Sequence, residues 1–513
     1  MPVLDSYLGG KWRHGSGALT ALRDAATGVE VAQIPSVVPD LAASLEFARN
    51  VGGSELRKLT FAERAQILKD LSKHLLGHID EFVDVSYHTG ATRKDASVDV
   101  DGGIGTLAVF ASKGIKQLPD AKILTDGEIE PLSKGGEFSG KHIYTPRRGV
   151  AVQINAYNFP VWGMLEKFAP AFLAGMPTLV KPASQTAYLT HAVFREMIDS
   201  GILPEGSISL LAAGPTGLLD SLLTQDTLAF TGSAKTVSAL RSHTAFIQRG
   251  ARFNAEADSL NCSILGPDIT LEDDELDIFI DQVVEEMTIK AGQKCTAIRR
   301  VLVPDTQVDN VVEALCSRLS EVIVGNPRGQ TVTMGPLVSR SQRDELIANV
   351  NELLTDCRMA YGDLTRVKVT EGNAESGSFI SPLVLIANDL YSTAPHQVEP
   401  FGPVVTVMSY SQVEEGFLAA TLGNGSLVAS LVTRDDQVAR SFVESLSPWH
   451  GRLLISNADN SKASTGHGIV MPQMVHGGPG RAGGGEELGG LRSVVHYMQR
   501  TAVQGHPTFL DQL

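Results

Sequence analysis

Apolar residues recur at two different spacings along this chain, and the spacing changes near residue 148. Before that point Ile67, Leu68, Leu71 and Leu75 return at helical intervals, just after Thr60-Phe61-Ala62-Glu63, where threonine and glutamate have the spacing of a capping box. The first third is therefore predicted to be rich in helix, with His74 and His78 as solvated residues of a helix face. Beyond residue 148, short β-branched runs at 149–154, 177–180, 207–211 and 228–230 alternate with helical segments. That alternation predicts a parallel sheet with helices wound on both faces. A second set of runs, at 300–303, 404–407, 427–432 and 452–455, predicts a second domain of the same kind. Residues 141–153 and 493–504 alternate in strand fashion but stand outside these blocks. They fit either a paired arm reaching a neighbouring subunit or two ordinary edge strands.

Composition narrows the class of protein. With 513 residues, 43% hydrophobic and 20% charged, the chain has room for two to four domains with sizeable cores, and no fixed-period repeat or low-complexity linker marks their boundaries. No apolar run approaches the roughly 20 residues of a membrane span, and the N-terminus has no basic stretch followed by an apolar one, so a cytoplasmic location is expected. The four cysteines, Cys262, Cys295, Cys316 and Cys357, form neither a disulfide framework nor a C-x-x-C pair, so no metal site is expected. A formal charge of −15 disfavours nucleic acid and anionic membranes as partners. An anionic cofactor would need local cations or helix N-termini.

Three separated residues carry candidate chemistry. Cys295, in Ala291-Gly292-Gln293-Lys294-Cys295-Thr296, follows a segment, 283–290, that is predicted to be a helix delivering the loop to a site. A free cysteine is more often a small buried hydrophobe than a nucleophile. Glu256 lies 39 positions earlier and Asn158, in Asn158-Phe159-Pro160, lies 137 positions earlier. Together a thiol, a carboxylate base and a carboxamide able to donate to an oxyanion are the parts required for acyl chemistry on an aldehyde. Phe230-Thr231-Gly232-Ser233 sits where an apolar strand gives way to a helix predicted from about residue 235, a place where backbone N–H groups can cradle a diphosphate. No G-x-G-x-x-G follows a predicted strand, and Gly483-Gly484-Gly485 lies too near the C-terminus to serve. Lys181, in Lys181-Pro182-Ala183-Ser184, ends a strand at the edge where doubly wound sheets bind ligands.

In this order Asn158-Phe159-Pro160, Lys181-Pro182, Phe230-Thr231-Gly232-Ser233, Glu256, Gly292-Gln293-Lys294-Cys295 and Glu399-Pro400-Phe401-Gly402-Pro403 resemble the aldehyde dehydrogenase superfamily along essentially the whole chain. The resemblance implies an α/β fold of two doubly wound domains plus a β-arm for oligomerisation. The cofactor-binding domain would span 1–261, the catalytic domain 262–470, and the arm 127–153 with 490–513. It implies NAD(P)⁺-dependent oxidation in which Cys295 attacks the aldehyde, Asn158 and the Cys295 backbone amide hold the oxygen, and a thioester remains on Cys295. Glu256 would activate the hydrolytic water, its pKa raised toward neutrality by burial. Lys181 would bind the adenosine ribose region, Ser233 the diphosphate and Glu399 the nicotinamide ribose, with Phe401 walling the ring. Glu487 would lie on a proton route.

Departures from the family pattern refine these expectations. Ser184 stands where many NAD⁺-preferring members carry glutamate, which removes a charge that would repel a 2′-phosphate and predicts NADP⁺, with NAD⁺ possible. Ala257-Asp258-Ser259-Leu260-Asn261 replaces the usual Leu-Gly-Gly, and the run 476–485 is idiosyncratic. Both features resemble a subgroup that oxidises CoA-linked semialdehydes in the aerobic breakdown of aromatic acids. The chain is expected to lack the hydratase-like second domain that some members carry. The substrate implied is 3,4-dehydroadipyl-CoA semialdehyde, of the benzoate route, and the assembly a homodimer or dimer of dimers. Arg147, Arg148, Arg481 and Arg492 are candidates for a basic entrance to receive CoA. The competing expectations are hydrolytic oxidation of free aldehydes, a CoA-acylating dehydrogenase, which would generally lack the base glutamate, and a catalytically silent structural protein on the same fold.

Overall fold

A computed structural model describes residues 2–513. Five parallel strands follow one another in the chain: Ala151–Ile154, Thr178–Lys181, Ile208–Leu210, Thr227–Thr231 and Arg252–Glu256. In space they run Arg252–Glu256, Thr227–Thr231, Ala151–Ile154, Thr178–Lys181, Ile208–Leu210, and a hairpin of Ser6–Leu8 with Lys11–Arg13 completes the sheet. The order reverses direction between Ala151–Ile154 and Thr227–Thr231. The crevice at the carboxyl ends of a doubly wound sheet opens at such a switch point, and the residues leaving these two strands are 155–158 and 232–233.

The second sheet runs Cys357–Tyr361, Leu383–Ala387, Val404–Tyr410, Arg300–Pro304, Cys262–Leu265, Ser426–Val432, His450–Ser456. It is parallel throughout except for Cys357–Tyr361 at its edge. Only residues 257–261 separate the end of Arg252–Glu256 from the start of Cys262–Leu265. The carboxyl edge of the first sheet therefore meets the amino edge of the second, where Cys295 and Glu399 lie just ahead of Arg300–Pro304 and Val404–Tyr410.

The helix Phe61–Leu76 starts at the predicted capping box: Thr60 Oγ1 accepts from Glu63 N at 3.2 Å and Glu63 Oε2 accepts from Thr60 N at 2.7 Å. Leu68, Leu71 and Leu75 are fully buried, in a core shared with the long helix Arg93–Gln117 and with Trp162–Leu173.

Three antiparallel strands, Leu124–Pro131, Ser139–Pro146 and Met498–Gly505, form a separate sheet, with Met498 opposite Pro146 and Gly505 opposite Ser139. The two stretches singled out in the sequence thus pair, but 151–153 belong to the large parallel sheet, and the sheet extends back to Leu124. The break falls at Pro146-Arg147-Arg148-Gly149, where proline and glycine turn the chain between the two sheets. Among the described residues no helix is long and apolar enough to cross a membrane, and all four cysteines are free thiols.

Candidate active site

The loop bearing Cys295 has an unusual backbone. The helix Asp274–Thr288 stops two residues short of the predicted end, and Lys290, Ala291 and Gly292 then take left-handed φ of 55°, 51° and 67° in succession. Such a run costs energy at the two residues that carry a Cβ, and the surroundings hold it. Lys290 N donates to Asp95 Oδ1 at 2.8 Å, Gln293 Oε1 accepts from Val338 N at 3.0 Å, and Asn261 Nδ2 donates to the Cys295 carbonyl at 2.7 Å. Gly292 is required twice over, since a Cβ there would lie 2.2 Å from the Gly402 carbonyl oxygen. Beneath the loop, Lys294 Nζ pairs with Glu286 Oε1 at 2.7 Å, both side chains almost wholly buried. The same carboxylate accepts from Gly468 N, and Thr296 Oγ1 donates to the Gly468 carbonyl.

Cys295, Glu256 and Asn158 converge at the junction of two concavities. One, lined by Val98, Phe159, Trp162, Ile469, Val470 and Leu488, is mainly apolar. The other is a cleft of about 780 Å³ between the two sheets, lined by Phe230, Gly232, Ser233, Glu399 and Phe401. The three convergent residues line both. Asn158 lies in the turn between Ala151–Ile154 and Trp162–Leu173, and its carboxamide makes no hydrogen bond within the described chain. Nor does the Cys295 backbone N–H. Two free donors beside one thiol can stabilise an oxyanion formed on an atom bonded to that sulfur.

Glu256 ends its strand opposite Thr231. His476, which composition alone did not mark, closes on it. His476 Nε2 lies 3.0 Å from Glu256 Oε2 and 3.8 Å from Cys295 Sγ. His476 is on the strand Val475–Gly477, directly opposite Glu487 on Glu486–Leu488. Residues facing each other across an antiparallel pair point to one side of it, so this small hairpin delivers both to the same pocket. Glu487 Oε2 is 2.9 Å from Lys167 Nζ, which also pairs with Glu166 Oε1 at 2.8 Å. The glycine-rich run before Glu487 has a bracing role: Gly485 N donates to Ala255 O at 3.0 Å, and a Cβ on Gly485 would lie 2.4 Å from that oxygen.

The electrostatics correct one expectation. Burial does oppose ionisation of Glu256, but the His476 imidazole and the Lys167 ammonium outweigh it and hold the carboxyl below its ordinary range. Burial, with the charge and hydrogen bond of Glu256, pushes the Cys295 thiol well up. Burial lowers the His476 pKa, but Glu256 more than reverses it, and the net direction is up. Burial raises Glu487 against the pull of Lys167. A protonated thiol therefore lies beside an ionised carboxylate, with a protonatable imidazole touching both.

The expected cofactor residues divide. Phe230, Gly232, Ser233, Glu399 and Phe401 line the large cleft. Burial lifts the Glu399 carboxyl to about 7 against Arg299, and its Oε1 is buried with no hydrogen-bond partner, as is Thr231 Oγ1. These unsatisfied oxygens fit ribose hydroxyls. Lys181 differs: its Nζ donates to the Pro182 carbonyl at 2.6 Å, and burial lowers its pKa to about 8. Ser184 opens onto a neighbouring cleft with Arg23 and Arg340, and Gln185 lines both clefts. The helix Ala234–Arg241 begins where expected, but its N-terminus is partly closed. Ser233 Oγ caps Thr236 N at 3.3 Å, and Asp258 Oδ1 accepts from Ala234 N at 2.8 Å.

Of the arginines suggested for an entrance, Arg147 is buried against the Thr224 and Gln225 carbonyls. Arg481 faces the cofactor-side cleft, donating to the Gln397 carbonyl. Arg148 and Arg492 are exposed, and Arg492 adjoins Gly490, whose neighbour is the Lys113 side chain.

Known proteins match this arrangement. The aldehyde dehydrogenase family matches over residues 12–503. The chain is 40% identical over 478 residues to 3,4-dehydroadipyl-CoA semialdehyde dehydrogenase of Aromatoleum evansii, covering 93% of each chain. In fold it is similar to lactaldehyde dehydrogenase from Escherichia coli, with a TM-score of 0.85 at 22% identity over 98% of this chain and 99% of that one. It is likewise similar to betaine aldehyde dehydrogenase from Staphylococcus aureus in complex with NAD⁺, with a TM-score of 0.85 at 21% identity over 98% and 95%. With its two wound sheets meeting at a thiol, a carboxylate and a carboxamide, the chain belongs to the aldehyde dehydrogenase family and is an oxidoreductase that oxidises aldehydes with NAD(P)⁺.

Proposed function

We propose that the protein oxidises a CoA-linked semialdehyde, with 3,4-dehydroadipyl-CoA semialdehyde as the first candidate, to the free carboxylate, using NADP⁺ in preference to NAD⁺. The observation that carries the reaction type is the convergence of Cys295, Glu256 and Asn158 at the junction of the two concavities. The substrate rests on the relative at 40% identity over 93% of the chain.

In this reading the Cys295 sulfur adds to the aldehyde carbon while its proton passes to Glu256. Asn158 Nδ2 and the Cys295 N–H donate to the oxygen as it becomes negative. Glu399 and Thr231 would hold the ribose hydroxyls of NAD(P)⁺ in the large cleft, where the cofactor, when bound, would supply the hydride acceptor. A thioester is left on Cys295, and Glu256, once deprotonated again, removes a proton from the attacking water. His476 holds Glu256 at the thiol in the resting arrangement. Glu487, Lys167 and Glu166 form the proton route away from Glu256. With Glu487 protonated and His476 charged, two carboxylates balance two cations there, so the cluster can pass a proton without stranding a charge in a buried site. The presence of Glu256 favours hydrolysis over release to CoA, and the intact triad of groups disfavours a silent structural role. The three-stranded sheet ending in the mostly exposed edge Met498–Gly505 would pair subunits as a homodimer or dimer of dimers.

Arg23 and Arg340 support the NADP⁺ preference, since they share the cleft of Ser184 with a single carboxylate, Asp24, itself 2.7 Å from His88. Ser184→Glu is expected to weaken NADP⁺ binding by on the order of 10²–10³-fold, because like charges near 4 Å cost about 4 kcal/mol at an effective dielectric of 20. NAD⁺ should be little affected. Titrating both cofactors by fluorescence checks this, and equal losses for the two would refute it.

The substrate is tested by a turnover panel of free and CoA-linked semialdehydes of equal carbon length. The apolar pocket suits an acyl chain, and exposed Arg492 with Lys113 supplies positive charge against an overall −15. The expected result is a much higher kcat/KM for CoA-linked aldehydes, with an advantage that shrinks as salt screens the charges. Equal turnover of short free aldehydes at low salt would leave only the general dehydrogenase.

A further inference from the structure

We propose that His74, His78 and Glu196 form a zinc(II) site on the first domain. The sequence places the two histidines four residues apart, and they were expected to be solvated. The structure instead sets them side by side, with ring centroids 4.9 Å apart and planes tilted by 43°, and turns both toward a carboxylate more than a hundred residues away in the chain. His74 lies in the last turn of Phe61–Leu76, His78 is the N-cap residue of Ile79–Ser86, and Glu196 is in the last turn of Ala187–Asp199. The helix Ala187–Asp199 packs on both of the others, so a shared ion would tie three element ends together.

The distances favour an ion over hydrogen bonds. Glu196 Oε2 is 3.5 Å from His74 Nε2 and 3.6 Å from His78 Nε2. A carboxylate bonded to imidazole N–H groups draws them to about 2.7–2.9 Å. Two ligands on a tetrahedral zinc ion with bonds of about 2.0–2.2 Å are separated by roughly 3.3–3.5 Å, which these spacings approach. The donor atoms of all three residues lie within 4.8 Å of one another, so closing on an ion needs only a small rotation of one ring.

Burial points the same way. His74 Nε2 is shut off from solvent and has no hydrogen-bond partner, a costly state for a polar atom unless something not made of protein binds it. His78 Nδ1 is also shut off, and lies 3.4 Å from Glu81 Oε1. A carboxylate behind the second nitrogen of a metal-binding imidazole orients the ring and strengthens it as a ligand. The three side chains keep 26–30% of their surface exposed, enough for an ion to enter and for water to take a fourth position. Two imidazoles and one carboxylate select zinc or a similar transition metal over magnesium and calcium, which prefer all-oxygen sites.

The site is independent of the catalytic reading, so its test does not use turnover. Glu256, Cys295 and His476 also bring three donor atoms within 4.8 Å of one another, and the measurements are therefore made on a tag-free full chain carrying Cys295→Ser. Zinc is titrated against a chromophoric chelator, and thermal unfolding is followed with and without zinc. One zinc per chain is expected, unaffected by excess magnesium, with a rise in Tm. Adding His74→Gln, His78→Gln or Glu196→Gln should each weaken zinc binding by at least about 100-fold, the upper scale for losing even an outer-shell partner, and remove the rise in Tm. Because the positions are partly exposed, the metal-free Tm and circular dichroism should match the parent. The proposal is overturned if the parent retains no zinc, or if all three substitutions leave its affinity unchanged.

Discussion

Cys295→Ala is expected to abolish aldehyde oxidation, lowering turnover by on the order of 10⁵–10⁶-fold, the scale reached when the nucleophile of a covalent mechanism is deleted. Cofactor affinity should stay unchanged, because the backbone of this loop is not held by the thiol. Its left-handed run is fixed by Asp95 at Lys290 N, by Gly292 against Gly402, by Gln293 against Val338, and by Asn261 at the Cys295 carbonyl. None of these contacts involves Sγ. The Glu256–His476 pair at 3.0 Å also survives the substitution, so no carboxylate is left unpaired. Steady-state turnover together with fluorescence titration of NADPH separates the two effects. Turnover within tenfold of the parent would reject Cys295 as the nucleophile, and loss of cofactor binding would show that the thiol supports the cleft after all.

The division into two wound sheets was legible because most of the strands are short β-branched or aliphatic runs of the kind that parallel sheets bury on both faces, whereas Arg252–Glu256 and Cys357–Tyr361, at the sheet edges and without a β-branched residue, gave no such signal. The run 427–432 appears as Ser426–Val432 with every residue buried. Cys295 and Asn158 were legible as chemistry because each follows a predicted helix or strand, while Glu256 was legible only through its place in the ordered set of motifs, since the strand it ends carries no β-branched run. His476 was not. A histidine beside two glycines has no local signal, and its meaning comes from the register of a three-residue hairpin that sets it opposite Glu487. The glycines at 483–485 lie too near the C-terminus to form a cofactor turn, and Gly483 and Gly485 serve instead as the close backbone approach that steadies Ala255 and hence Glu256. The raised pKa expected for Glu256 rested on burial alone and left out the charges of this same His476 and of Lys167. Glu166 and Lys167 were hidden for another reason: inside an apolar helix, adjacent charges look like a solvated edge, yet Lys167 is buried between two carboxylates. Ser184 lies one residue away from the cleft that holds Phe230 and Glu399, a displacement that motif spacing cannot resolve.

Glu256→Gln is expected to separate the two halves of the reaction. In the parent, burial raises the thiol pKa, and the ionised carboxylate both adds to that shift and is hydrogen-bonded to the thiol as an acceptor for its proton. Glutamine removes both effects at once. The thiol loses the repulsion that disfavours thiolate, and His476, no longer held charged by Glu256, becomes a neutral imidazole 3.8 Å from Sγ that can accept the proton. The first half should therefore still run once, producing about one equivalent of NADPH per active site. Hydrolysis then has no free base at the thioester, because His476 already carries the thiol proton and Glu487 is engaged with Lys167 rather than with the thiol. Steady-state turnover should fall by roughly 10²–10⁴-fold, the usual worth of a positioned general base. Stopped-flow absorbance gives the burst, and intact-mass measurement after quenching gives an adduct of the acyl mass on Cys295. A burst with an adduct confines Glu256 to deacylation as an indispensable group. If neither is seen while NADPH still binds, Glu256 is also the only acceptor of the thiol proton, and His476 acts by holding that carboxylate in place rather than by taking the proton itself.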